Sequence, residues 1–332
     1  AGIDQASALV TASPELGVCE VWVAEGTYFI YQTGVSNTIT LRNQVAVYGG
    51  FAGGETERDQ RDWANRRTIL DGSDGLGNPL NVSHVITANS TQDATLDGLE
   101  IARGRSPDTG GGVQCTNARL WLVNLKLSEH YAGDSVWGGG AIFCVASGAG
   151  SVDLTIQGSE LTSNSAARYG AGIMLLQQGT GGATLRVRGS TLASNYSMWW
   201  GNAVSLYAQS AGAMVLEVSD STFMYNQANS GSAVGIHHRG SGAITASVSG
   251  SVFYRNWAGN GIIYPIIDGT NGSIDLTVSA CRFFDNVAGG GMLTHHNRGT
   301  GVFTTTVTGS IFAGNYRHPN ADNRDHGALY NW

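Results

Sequence analysis

Few side chains in this sequence can do chemistry: 332 residues contain 8 His, 4 Cys and 25 Asp plus Glu. Asp71 and Asp74, in DGSDGLGN, could hold a cation through carboxylate and carbonyl oxygens, although Gly-Asp segments also simply close turns. His237–His238 and His295–His296 recur 58 residues apart. Adjacent side chains on a strand point to opposite faces, so one imidazole of each pair would face outward. Cys115 and Cys144 stand in matching contexts, GGVQC and GGAIFC, and could form a disulfide or remain two buried thiols. Tyr169, Tyr196, Trp199, Trp200, Trp257 and Tyr316 all follow closely on an asparagine. Exposed, they make a stripe suited to sugar rings or to another protein; folded back, they cover glycine-rich corners.

The elements that position these residues are written in a repeat. GSELTSN, GSTLASN, DSTFMYN, GSVFYRN, ACRFFDN and GSIFAGN end on Asn164, Asn195, Asn226, Asn256, Asn286 and Asn315, spaced 29 to 31 residues apart. A second, glycine-rich phrase turns into an apolar strand: GGGAIF from Gly138, GAGIML from Gly170 and GGGMLT from Gly289 are examples. Between the phrases lies a strictly alternating strand, with Val152, Leu154 and Ile156 inward and Thr155 outward, and its equivalents Arg186 and Glu217 outward on the next two repeats.

Three short strands per repeat, with no helical period between them, cannot bury a core alone. They can stack as coils, each covering the edge of the one before at ~4.8 Å per step. The expectation is an all-β, right-handed parallel β-helix of pectin-lyase-like architecture, forming a single domain over 1–332 with coils of about 30 residues. Residues 1–20, with a weak helical period at Ile3, Ala6 and Val10, would cap the first coil. Residues 21–110 would form irregular coils with a charged loop at 53–67, and 111–332 the regular ones.

In such a stack equivalent residues form ladders. Phe223, Phe253, Phe283 and Phe312 would continue an apolar stack from Leu161 and Leu192. The six asparagines would form an amide ladder at a corner, where Asn bonds to backbone and tolerates left-handed geometry. Cys115 and Cys144 would be neighbours one coil apart, whereas Cys19 and Cys281 lie too far apart to pair. The outward histidines, two coils apart at roughly 10 Å, would be too distant to share one metal.

Catalysis is the rival reading, because parallel β-helices host polysaccharide lyases and glycosidases. A hydrolase needs paired carboxylates roughly 5–10 Å apart, which here means acids at equivalent places on adjacent coils. Asp153 and Asp275 share a ladder, but Thr184, Val215 and Thr245 stand between them, while Glu160, Asp220 and Asp285 fall at other phases. No catalytic set, metal set or cofactor site emerges.

The paired phrases resemble the GGAI and FxxN signatures of the polymorphic outer-membrane-protein repeat family. Gly139–Ile142 reads GGAI, and Phe223–Asn226, Phe253–Asn256, Phe283–Asn286 and Phe312–Asn315 carry the second element. VWVAEGTYF (Val21–Phe29), VYGGFAGGETERDQRDW (Val47–Trp63), TILDG (Thr68–Gly72) and LDGLEI (Leu96–Ile101) are similar to the opening of bacterial surface β-helix proteins bearing such repeats. The resemblance implies a bacterial protein displayed or released outside the cell, an adhesin or scaffold of the surface. It departs from that pattern beyond Trp332, where neither barrel strands nor an anchor are seen, and Ala1 would suit a site just after a cleaved signal peptide.

A net charge of −7, with no basic run, points away from nucleic acid, and no stretch is apolar enough to insert in a membrane. The expected function is a non-catalytic extracellular or outer-surface protein, adhesive or structural, with a host or cell-surface protein or glycan as partner. Its own ends, stacking head to tail into filaments, are a further candidate partner. The alternative is a carbohydrate-active β-helix enzyme or glycan-binding module.

Overall fold

The computed structural model describes residues 2–133, 137–201, 203–269 and 271–317, with the backbone of Leu329–Asn331. It is an all-β parallel β-helix of about ten coils, as the repeat requires. The alternating strands form one ten-stranded sheet from Cys19–Ala24 to Val302–Thr308. The strands that follow the glycine-rich phrase form a second sheet, which includes Ile142–Gly148, Val234–His238 and Leu293–Asn297. A third runs from Gly26–Phe29 to Ile311–Ala313 and carries the FxxN phenylalanines. A fourth, absent from the sequence reading, consists of two-residue strands from Arg105–Ser106 to Tyr316–Arg317. Two residues are too few to show an alternation, so this sheet left no pattern to read.

The helix Gly2–Ala12 lies over the first coil, burying Ala6 and Val10. Within LDGLEI, Gly98, whose φ is +70, turns the corner between the strands Ala94–Asp97 and Glu100–Ala102 of two different sheets. The charged loop 53–67 is tied down by its own ions: Glu55 accepts from the Ala52, Gly53 and Gly54 amides and pairs with Arg66, and Arg61 reaches Asp97 at 2.7 Å.

Val152, Leu154 and Ile156 are buried, as are their register partners coil after coil to Ile274, Leu276 and Val278. Phe223, Phe253, Phe283 and Phe312 stack in sequence, their centroids 4.8, 4.7 and 4.7 Å apart. Cys115 and Cys144 sit in register on neighbouring strands and form a disulfide, with Cα atoms 4.5 Å apart. Cys281 replaces serine in a buried column (Ser159, Ser190, Ser221, Ser251) whose hydroxyls each accept the amide one coil back. Cys19 and Cys281 are free.

The asparagine ladder is continuous. Asn226 Nδ2 donates to the Leu192 carbonyl at 2.8 Å and to Asn256 Oδ1 at 3.0 Å, while its Oδ1 accepts the Asn195 backbone N–H at 3.1 Å and Asn195 Nδ2 at 2.9 Å. Both donors and both lone pairs of a fully buried amide are therefore used. The same four bonds recur at Asn195, Asn256 and Asn286. One expectation needs correction: the left-handed residue at this corner is not Asn but the one before it, with φ of 57 at Ser163, 55 at Tyr225 and 49 at Arg255. That residue makes the bend, which frees the asparagine to aim its amide along the stack.

The ladder begins on a residue of another type. His130 occupies the asparagine position of its coil, and its backbone N–H donates to Asn164 Oδ1. Its Nδ1 accepts the Gly104 amide at 3.0 Å and its Nε2 faces the Ile101 carbonyl at 2.9 Å, reproducing an asparagine's acceptor and donor. These partners fix the Nε2–H tautomer. Burial pushes the imidazole pKa down to about 4.

Two outcomes follow. N226A leaves two N–H groups and the Leu192 carbonyl without their partner in a dry corner and lowers unfolding free energy by roughly 3–5 kcal/mol in a urea titration, whereas S163A next to the ladder changes it by less than about 0.5 kcal/mol. His130 is neutral when folded and titrates near 6.5 when unfolded. The unfolded chain thus binds the extra proton, and stability falls as pH drops from 6.5 to 4, by about 3 kcal/mol from this group. H130N, which supplies the ladder's usual amide, flattens that part of the pH slope.

Candidate functional site

On the second sheet, alternate side chains point away from the core, and on most solenoid faces they would meet water. Here Met174, Tyr207, His237 and Tyr264 are outward yet buried. The cause is the chain leaving the fourth sheet, which doubles back across this face before entering the next coil. It lays Trp137 against Tyr207 with centroids 4.8 Å apart, and Trp200 flat on His237 at 5.2 Å and beside Tyr264 at 5.8 Å. Tyr207 also packs on His237 at 4.4 Å, so the imidazole lies between two rings. Phe143, Met174, Leu176 and Tyr207, with Trp137, Val145 and Tyr169 packed against them, form a second apolar cluster outside the main core.

At the C-terminal ends of these strands, a polar column borders the cluster. Gln178 Nε2 donates to Gln209 Oε1 at 3.0 Å, and the next three coils place Arg239, Asp268 and Arg298. His237 Nε2–H donates to Asp268 Oδ2 at 2.6 Å, while the Nε atoms of Arg239 and Arg298 approach the same carboxylate at 3.6 and 3.9 Å. Arg298 Nε also donates to His296 Nε2 at 3.1 Å, which leaves His296 Nδ1 to donate to the Tyr264 hydroxyl at 3.0 Å. Burial pushes His237 down to about 4, against the pull of Asp268, and pushes the Tyr207 and Tyr264 hydroxyls up to about 12. Among the described residues, His237 Nδ1 and Asp268 Oδ1 are buried without a hydrogen-bond partner.

Among these groups, which are the types that move protons, His237 and Tyr207 are shut in: His237 is 5% exposed beneath Trp200 and Tyr207 2% exposed beneath Trp137 and Tyr169, so a substrate atom meets neither without displacing those rings. What the arrangement presents outward is different: the two guanidinium groups, more than half exposed.

The aromatics following the asparagines divide between the two expected fates. Tyr169 and Trp200 fold back over the second sheet. Tyr196, Trp199, Trp257 and Tyr316 stand at 37, 52, 39 and 63% exposure. The Arg168 guanidinium lies over the Trp199 ring at 5.9 Å.

Other sequence candidates have different uses. Asp71 is fully buried and gripped by Arg103 through two contacts; although burial pushes its pKa up, Arg103 and the Ser73 amide hold the carboxyl below the usual range. Asp74 accepts from the Leu76 amide and Asn78 Nδ2, closing the turn. Neither carboxylate is directed at a shared cation position. Among the described residues, no three His, Cys, Asp or Glu side chains assemble as a metal set. Asp153 and Glu217 flank Arg186 in an exposed ion-pair row, with Glu217 also 3.0 Å from Arg188.

The histidine pairs recur two coils apart, as spacing suggests, but their outward members are His237 and His296, 59 residues apart, aligned through Ile266. His238 and His295 point inward and bond to the Gly242 carbonyl and the Thr305 hydroxyl. This one-residue offset hides Arg239, Asp268 and Arg298 in the sequence: GIHHR, YPIID and THHNR align only when the strand register is known.

No family model matches the chain, and no curated protein does. Among solved structures, the chain is similar to the A-module of the mannuronan C-5 epimerase AlgE6 from Azotobacter vinelandii, with a TM-score of 0.33 and 11% identity, covering 95% of this chain and 94% of that one. So distant a likeness carries no argument about what this chain binds.

Trp200 is the lid of the buried cluster. In W200A, water reaches His237 and its pKa rises from about 4 toward the ordinary 6.5, read by imidazole NMR titration. A pKa that stays near 4 in W200A would assign its burial to Tyr207 alone.

Proposed function

We propose that this chain is a non-catalytic, glycan-binding scaffold of a bacterial cell surface or its surroundings. The observation that carries the reading is the exposure of Tyr196, Trp199 and Trp257 in and just after the fourth sheet, on a surface that also carries the Arg239–Asp268–Arg298 column at the far ends of the second-sheet strands. Flat rings offer hydrophobic faces to the C–H faces of sugars, and a guanidinium–carboxylate row offers donors and acceptors to hydroxyl pairs. His237, Tyr207 and Tyr264 are buried, which favours holding a sugar over breaking its bonds. The disulfide between Cys115 and Cys144 supports an oxidising, extracellular setting.

The test is retention of the purified chain by a panel of insoluble polysaccharides, scored against a self-pelleting control. At least one polysaccharide retains the chain, and a W199A/R239A double variant with an unchanged melting curve is retained about tenfold less. Failure to bind any polysaccharide, together with capture of a surface protein by the same residues, overturns the glycan reading. Release of new reducing ends or unsaturated sugars overturns the non-catalytic one.

A further inference from the structure

A cap that closes a solenoid must be as wide as the coil beneath it, and this one is narrower. The helix Gly2–Ala12 lies along the first-sheet strands Cys19–Ala24 and Val45–Phe51. The inward residues of the first coil, Val21, Tyr28 and Ile39, stand in register on the buried Val47, Leu70 and Ile86 of the next. Tyr28 heads the inward column that runs through Leu70 and Ile101 toward the core phenylalanines, yet it is 40% exposed. Its hydroxyl donates to the Ala24 carbonyl at 3.1 Å, which anchors the ring.

Between these residues and Ile3 of the helix, a cleft of about 500 Å³ opens onto the end of the main core, with Leu70 and Leu96 at its floor. Small-molecule sites have this size and are mostly apolar, with a few polar groups that fix orientation. The strands Gly26–Phe29 and Ile39–Thr40 flank the cleft, and the loop joining them is held by one side chain. Asn37 Oδ1 accepts the Gln32, Thr33 and Gly34 amides at 3.0, 2.8 and 3.0 Å, so the wall is fixed by its own hydrogen bonds. The charged residues lining the cleft are Arg42 and Asp4. Arg42 Nε and Nη2 both meet Asp4 Oδ1 at 3.1 Å, and the two side chains are 46 and 63% exposed. This is a one-oxygen contact, weaker than the two-by-two pairing that a guanidinium offers a carboxylate.

We infer that this cleft binds a small amphipathic carboxylate, its alkyl chain among Val21, Tyr28 and Ile39 and its acid on Arg42 in place of Asp4. The walls and floor offer an alkyl chain apolar surface that the first coil leaves uncovered. Arg42 stands at the rim, where a head group stays hydrated while its tail is buried. The displaced Asp4 remains in water and in the first turn of a helix, where a carboxylate is favoured. The site belongs to the first coil, several coils from Trp199 and Arg239, and is independent of glycan binding.

The experiment is calorimetric titration of the full chain with alkanoates from hexanoate to tetradecanoate, kept below micelle-forming concentrations. Affinity rises by up to about fourfold with each added methylene, then levels off once the cleft is filled. Decanoate binds about tenfold more tightly than decanol, and R42Q removes that difference. D4N takes away the competing charge, tightens decanoate binding by about threefold and leaves decanol unchanged. V23W puts a ring into the cleft and abolishes binding of both, while the protein still melts cooperatively. Affinity independent of chain length, or undiminished binding in V23W, overturns the cleft as the site. Equal binding of decanoate and decanol, or D4N weakening decanoate, overturns the carboxylate on Arg42. No binding of any alkanoate overturns the inference and leaves the glycan reading standing.

Discussion

From Asn164 to Asn286, each coil of this solenoid places a buried amide where the coil before and the coil after can both bond to it. The corner between the third and fourth sheets is dry, and an unpaired N–H or carbonyl there costs about 1–3 kcal/mol. The asparagine side chain resolves this by donating back to one coil's carbonyl and accepting that coil's amides, with no group left over. That geometry works only if neighbouring coils keep the same corner at the same height. The ladder therefore does more than stabilise: it holds the coils in register, and insertions are confined to the other corners. His130 shows that the requirement is for a donor and an acceptor at the right angle, not for asparagine as such.

Once register is fixed, the outside of the protein inherits it. A residue chosen for the surface of one coil stands one strand spacing from its equivalents, whether or not that neighbourhood suits it. The first sheet uses this for ion pairs, as in Arg186 between Asp153 and Glu217. The second sheet uses it to assemble Arg239, Asp268 and Arg298, and pays for the outward histidine by roofing it with Trp200. A solenoid presents periodic surfaces at no extra folding cost, and periodic ligands are what such surfaces fit.

Much of this was legible in the chain. The asparagine spacing, the alternation around Val152–Ile156 and the phenylalanine series specify coil length, inward face and two ladders, because each depends on a repeated local rule. What could not be read depends on register between coils. The two-residue strands of the fourth sheet carry too little pattern to declare themselves. Arg239, Asp268 and Arg298 share no motif, and their convergence follows from the strands before them. The fate of the aromatics was also open, since Trp199 and Trp200 are adjacent in sequence yet one is half exposed while the other covers His237. Adjacent residues on a corner take opposite sides of the chain, and only the packing decides which side is inside.

The buried histidines place a further limit on how the surface can work. His130 sits at the start of the amide ladder, and His237 lies between two rings; both are neutral because burial disfavours their charged forms. Opening either site to a proton or a substrate would break contacts that hold adjacent coils together. A reaction centre that must admit water and exchange protons at each turnover is poorly served by groups fixed in this way. A surface that must hold its rings and guanidinium groups at constant spacing along a long ligand is served well. Rigidity that obstructs acid–base exchange is, for a periodic ligand, the preorganisation that limits the entropy lost on binding.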